Sequence, residues 1–333
     1  MTVSRAVVFT LGLLASQFTL AQYSVINLGS LGYQVANANA INDSGQVAGV
    51  ATLQLSNGTR TRAFLWTPAT GLQSLGVLGA GGAGNSVGNG LSSNGFVTGG
   101  STDSNFIVDA FLWSSSTGML DSGFQNVGLA VNSVGLVVGY SYNQEGYYNV
   151  YSSSGNLSGA GYTHSRATAV NDLGYAAGSG YGTRTGLQEA LVWMPDGTSL
   201  ALGTLGGGRN SQAFGISPNN IVVGSSTVTG GATHPFLATL YKRMRDLGLL
   251  SGFTSCVANG VNSSGVVVGQ CTASSGEPHA FIWNSTRGMQ DLNSLVLSNP
   301  YGTITNATGI NSTGQIAATA GSGYPSYAVL LNP

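Results

Sequence analysis

The stretch INDSGQVAG, residues 41–49, decides the fold, because the chain writes it again and again. LSSNGFVTG begins at Leu91, VNSVGLVVG at Val131, VNDLGYAAG at Val170, ISPNNIVVG at Ile216, VNSSGVVVG at Val261 and INSTGQIAA at Ile310. Successive starts lie 50, 40, 39, 46, 45 and 49 residues apart. Each copy reads as a β-hairpin. Asn or Ser and a later Gly supply the turn, because Asn and Gly tolerate positive φ. The flanking Val, Ile and Ala suit strands covered on both faces. Strand-rich units recurring every ~40–50 residues indicate a propeller or an array.

A second phrase alternates with the first. AFLWTPATGLQSLG begins at Ala63, AFLWSSSTGMLDSG at Ala110, ALVWMPDGTSLALG at Ala190 and HAFIWNSTRGMQDLN at His279. It too reads as a hairpin, so each unit holds four strands, the content of one propeller blade. We letter them a to d in chain order. The third unit is the weak copy, with NVYSSSGNLSG from Asn149 in the place of the second phrase, and the fifth, HPFLATLYKRMRDLG, lacks its Trp. The chain stops after SYAVLLNP, a third strand without a fourth, whereas YSVINLGSLG near its start matches a fourth strand without a third. Joining the two closes a ring and removes two bare sheet edges. The expectation is an all-β, seven-bladed β-propeller spanning residues 22–333 as one domain, its last blade completed by the N-terminal strand.

Residues 1–21 read as a cleaved signal peptide: Arg5, an apolar run from Ala6 to Leu20, then Ala21. The run is shorter than the ~20 residues a membrane span requires. The mature chain is therefore expected to be extracellular or periplasmic, with no membrane span. Charged residues are 6% of the chain and the net charge is −1, which leaves no basic footprint for a nucleic acid. With 42% hydrophobic residues, 14 Tyr and 11 Phe, the chain is not disordered either.

The motifs IN..G.V.G, HAFLW and G.M.DLG.LGG resemble those of the HAF-repeat family of bacterial extracellular proteins, here in His279–Ala280–Phe281, His234–Pro235–Phe236 and Asp246–Gly248. The resemblance covers nearly all of the mature chain and implies an exported repeat protein. It implies no chemistry.

Cys256 and Cys271 flank the sixth hairpin. If Val261 faces Val266 across its tip, equal steps outward set the two cysteines opposite each other, close enough for a disulfide. The three histidines, His164, His234 and His279, are too few and too repeat-like to hold a metal, and no signature of a cofactor is present.

Topology puts the variable b–c and d–a loops at one end of the blades, the loop face, and the tight a–b and c–d turns at the other, the turn face. Loops on a fixed scaffold are where binding lives. The residues expected to open strand c, Arg62, Asp109, Tyr148, Glu189, His234, His279 and Tyr327, form a candidate fringe there, joined by Tyr33, His164, Arg166 and Arg209 from the d–a loops. The sequence favours a non-catalytic protein that binds a glycan or a surface protein through this face. The alternatives are a polysaccharide hydrolase or lyase, with Asp109 and Glu189 as its first carboxylates, and a structural matrix protein.

Overall fold

In every copy of INDSGQVAG the backbone folds back between the second residue and the sixth. In the first copy the Gly45 N–H donates to the Asn42 carbonyl and the Asn42 N–H to that of Gln46. The left-handed residue is Gly45, at φ 71°; in the fifth copy Asn220 takes its place at 63°. The asparagine at the second position does other work than expected. It does not adopt positive φ; its side-chain oxygen accepts the N–H groups of Ser44 and Gln46 and so caps the turn.

The computed structural model describes residues 23–333 except 57, 80–83, 106, 124, 143–147, 160 and 322. The signal-peptide reading lies outside the described residues. Seven antiparallel sheets follow one another around a ring. The first blade is Val35–Ile41, Val47–Leu55, Gly58–Thr67 and Gly71–Ser74, hydrogen-bonded in that order. The other four-stranded blades repeat its order, with strands a at Ser86–Leu91, Tyr162–Val170, Ser211–Ile216, Phe253–Val261 and Ile304–Ile310. The third blade, where the second phrase is weakest, has three strands among the described residues instead of the expected four: Asn126–Val131, Val137–Tyr142 and Tyr148–Ser152. The expected clasp is present: Ser24–Asn27 pairs antiparallel with Tyr327–Asn332, from Ser24 opposite Asn332 to Asn27 opposite Val329. One 3₁₀ turn, Leu292–Leu295, is the only helix among the described residues.

The core lies between blades. Phe64, Phe111, Phe236 and Phe281 of strands c are fully buried, and each pocket mixes neighbouring blades. Across the seam, Ala36, Val47 and Phe64 of the first blade pack with Ala317, Ala328 and Leu330 of the seventh. The final glycine of the hairpin phrase makes this packing possible. A Cβ at Gly269 would fall 2.0 Å from the Val257 carbonyl oxygen and 2.8 Å from the Phe281 ring. The seventh blade carries Ala318 at the equivalent place.

One closed ring of hydrogen bonds and one partial set hold the blades together. Asn42 donates its amide to the Ser92 carbonyl, Asn132 to Asn171, Asn171 to Ser217, Asn262 to Asn311 and Asn311 back to Asn42, at 3.0–3.2 Å. Where the motif has Ser92 or Ser217 instead, the serine hydroxyl caps the turn, and an asparagine two residues on reaches the next blade: Asn94 to the Ser133 carbonyl and Asn219 to that of Ser263. Seven links thus run once around the ring. The partial set grows from a β-bulge that interrupts strand a at one position in all seven blades, where five of the seven bulged residues carry a polar side chain. Bulged Asn39, Asn89, Thr168, Asn259 and Thr308 each donate to a carbonyl of the following blade, Thr308 to Ala38 across the seam.

The bulge corrects the register assumed for the sixth hairpin. Val261 pairs with Val267, not Val266, and the extra residue at Asn259 then moves the ladder back by one, so that Cys256 faces Cys271. The disulfide between them is present, buried and spans a Cα separation of 4.0 Å.

Candidate binding site

The central tunnel offers little room. Seven aliphatic side chains, Ile41, Leu91, Val131, Val170, Ile216, Val261 and Ile310, close in on it, and the spaces on either side measure about 200 and 190 Å3. Its mouth on the turn face is rimmed by the asparagine ring with Asp43 and Asp172, and each carboxylate accepts a backbone N–H from the neighbouring blade.

The loop face is richer between the third and fourth blades. Strand b of the third blade ends Tyr140-Ser141-Tyr142, and Tyr142 pairs directly with Tyr148 on strand c. The three phenol rings meet at centroid distances of 5.4, 4.9 and 5.1 Å, edge-on or tilted, within the range of favourable aromatic pairs. Strand a of the fourth blade carries a second bulge, which sets His164 and Ser165 outside the ladder between Thr163 and Arg166. Ser165 turns inward and accepts the Val150 N–H, while His164, at φ 48°, stands between Tyr148 and Tyr181 at 6.4 and 5.9 Å. The result is one file of rings, Tyr142–Tyr148–His164–Tyr181, crossing the seam of two blades. Tyr142, Tyr148 and Tyr181 are exposed by 46, 37 and 40%. Beside it lies an open cavity of about 580 Å3 lined by Thr163, His164, Tyr181, Gly182, Thr183 and Gly186. Next to the cavity the Tyr162 hydroxyl donates to the Glu189 carboxylate at 2.9 Å. Burial, and then that carboxylate, push the Tyr162 phenol up to about 12, so it stays a proton donor. The hydrogen bond between Tyr142 and Tyr140, and then burial, raise the Tyr142 phenol as well.

The expected fringe does not form one site. Tyr148 and His164 share the aromatic file, with Glu189 alongside. Register refines the fringe too: Asn149, opposite Ser141, holds the place that Arg62, Asp109, Glu189, His234 and His279 hold elsewhere, and Tyr148 lies one residue further out. Tyr33 and Tyr327 line a separate cavity of about 360 Å3 at the seam of the first and seventh blades. His234 and His279 are each tied by Nδ1 to an aspartate of strand d, Asp246 at 2.9 Å and Asp291 at 2.7 Å. Arg62 donates to the Thr61 and Gly84 carbonyls, and Arg166 to the Gln212 side chain. The backbone N–H of Arg209 donates to the Thr227 hydroxyl, and its residue is exposed. Asp109 is 2% exposed and accepts the Gln125 N–H at 2.7 Å. Burial raises its carboxyl above the usual range, the Gln125 N–H opposes that, and the charges of Asp121 and Asp103 add to it.

Tyr142 and Tyr181 were not singled out from the sequence. Their signal is there: strand b ends in YSY and GYG in these two blades, where the other blades end in Leu, Thr or Ala. Among the described residues, no cluster of three or more His, Cys, Asp or Glu side chains could hold a metal ion.

No family model matches the sequence. No curated protein matches it either. Solved structures share its architecture. The β-propeller domain of the Trilobed protease from Pyrococcus furiosus superposes with a TM-score of 0.55 at 8% identity, covering 89% of this chain and 93% of that one. That propeller is described as having an open velcro topology, whereas here the first and last strands pair. The acylaminoacyl peptidase of Pyrococcus horikoshii gives a TM-score of 0.53 at 9% identity; 89% of this chain matches 51% of that one. A puromycin hydrolase gives 0.50 at 11% identity over 79% of this chain and 54% of that one. At such identities the likeness is one of fold: the chain is a seven-bladed β-propeller.

Proposed function

We propose that this protein is an exported member of the HAF-repeat group that binds a neutral glycan across the seam of its third and fourth blades. The observation that carries the reading is the file Tyr142–Tyr148–His164–Tyr181. Exposed aromatic faces with polar tips suit sugar rings, which present apolar C–H faces and a rim of hydroxyls. Thr163 and Thr183 line the cavity beside the rings and can meet those hydroxyls. Among the described residues neither Lys nor Arg lines the cavity, which favours a neutral ligand over an acidic one.

Export is supported by the disulfide, a bond that persists in oxidising compartments. Among the described residues no helix is long and apolar enough to cross a membrane. The His234–Asp246 and His279–Asp291 bonds support the family reading, because they give the histidine of HAF and the aspartate of DLG a shared structural purpose. Asp109 and Glu189 stand in the second and fourth blades, and neither lines the cavity.

The test is a glycan array on the mature protein, followed by calorimetry with the best ligand. Tyr148→Ala and Tyr181→Ala should each weaken binding about 10-fold, the worth of one lost stacking contact. Silence across the array, or full affinity in both variants, would sink the reading.

A further inference from the structure

The opposite end of the ring carries a surface of a different kind. Lys242, Arg243 and Arg245 fall within four residues of the c–d turn of the fifth blade, in a chain with only ten basic residues. Arg245 folds over the Trp283 ring at 5.0 Å, which brings the sixth blade alongside; there Arg287 occupies the next c–d turn. Lys242, Arg243 and Arg287 are exposed.

Their setting is apolar. Tyr241, 77% exposed, sits at the tip of the same turn at φ 62°, where the other blades use glycine. A bulky residue at that angle is strained, so the turn holds a tyrosine outward at a cost to the fold. Its hydroxyl touches the Met194 sulfur of the fourth blade at 3.7 Å. From there Pro195 leads to Leu173 and Val134, the a–b turn tips of the fourth and third blades, 59 and 80% exposed and lining one groove. The five other blades place Ser, Asn or Thr at that tip. Of the nearby carboxylates, Asp172 is engaged by the Ser133 N–H and the Ser93 hydroxyl, Asp196 by Thr198, and Asp246, next to Arg245, by His234.

We infer that the turn face docks on an anionic lipid surface. Basic side chains meet the headgroup phosphates, while Tyr241, Leu173 and Val134 enter the boundary between headgroups and acyl chains. Like charges packed into one turn repel one another, and Lys242 and Arg243 stand exposed on a turn that the first four blades build without a basic residue; an opposing negative surface gives them a partner. The apolar tips are what a lipid surface can use and a soluble polyanion cannot. Docked this way, the protein presents its loop face outward. The inference stands independently of any glycan ligand.

The experiment is co-sedimentation of the mature protein with phosphatidylcholine vesicles, with and without about 30% phosphatidylglycerol. Binding should require the anionic lipid and weaken several-fold on going to 0.5 M salt. The triple variant Lys242→Gln, Arg243→Gln, Arg287→Gln should lose on the order of 100-fold, at roughly 5-fold per charge. Tyr241→Ser should weaken vesicle binding about 5-fold but leave retention on a heparin column unchanged. All four positions are exposed, so unaltered thermal unfolding verifies that the variants fold. Equal binding to neutral vesicles, or an unaffected triple variant, overturns the inference. So does vesicle binding that ignores Tyr241→Ser and is fully competed by soluble heparin, since the patch would then read an acidic polymer.

Discussion

Asn311 in the seventh blade donates its side-chain amide to the backbone carbonyl of Asn42 in the first, at 3.1 Å. That bond closes the circuit of seven links, in five of which the asparagine ties the turn it caps to a carbonyl of the next turn. Removing one asparagine costs both a cap and a buried partner. Asn171→Ala, which frees the Tyr175 N–H and the Ser217 carbonyl, should destabilise the protein by about 2–3 kcal/mol in urea unfolding. Asn94→Ala should cost about 1 kcal/mol, because Asn94 supplies the inter-blade bond in a blade that lacks the usual asparagine. Ser264→Ala, at the equivalent place in the sixth blade, should cost almost nothing.

The Cys256–Cys271 disulfide closes a loop of 15 residues within one hairpin. In the chain-entropy account such a loop contributes ~3 kcal/mol through the unfolded state, less where the hairpin persists there. The double variant Cys256→Ala, Cys271→Ala should therefore lower unfolding stability by about 2–3 kcal/mol. A reducing agent should destabilise the native protein under unfolding conditions and leave the double variant unchanged.

Gly269→Ala should be among the most damaging single changes. Its methyl would press on the Val257 carbonyl and the Phe281 ring, both fixed in the core between blades. A loss above about 2 kcal/mol, or failure to fold, is expected. Gly276→Ala, in an exposed loop with open space around its Cβ site, should cost only the strain of φ 87°. Thermal unfolding of the two variants side by side checks the contrast.

Asp109 sets a pH dependence. Its folded carboxyl is raised above the unfolded value, chiefly by burial. The stability it contributes is thus present below the unfolded value, near 3.8, and is lost as pH rises through the folded value. Asp109→Asn keeps an oxygen for the Gln125 N–H and removes the buried charge. It should raise the melting temperature at pH 7, with the gain shrinking towards pH 4. A variant no more stable than the parent at pH 7 would show that the ionised carboxylate is well solvated.

Repetition is what made the architecture legible. Seven copies of one hairpin phrase, alternating with a second, admit few arrangements, and the orphan strands SVIN and YAVLLN could satisfy each other only by closing a ring. The third copy read as weak but still as four strands, and there the described residues form three. The cysteine pairing was reached through a register that was one residue off at the tip, rescued by a bulge that no residue pattern advertised.

The sequence by itself determined the blade, the number of blades and the closing strand, because these follow from local hairpin chemistry and from the demand that sheet edges be paired. Only the tertiary structure decided which loop residues meet. Tyr148, His164 and Tyr181 come together because two bulged strands of neighbouring blades converge, whereas Tyr33 and Tyr327 meet at another seam. The asparagine circuit was hidden for the same reason: each amide finds its partner some 40–50 residues away along the chain. Contacts across blades depend on the curvature of the whole ring, and no segment of the chain carries that curvature alone.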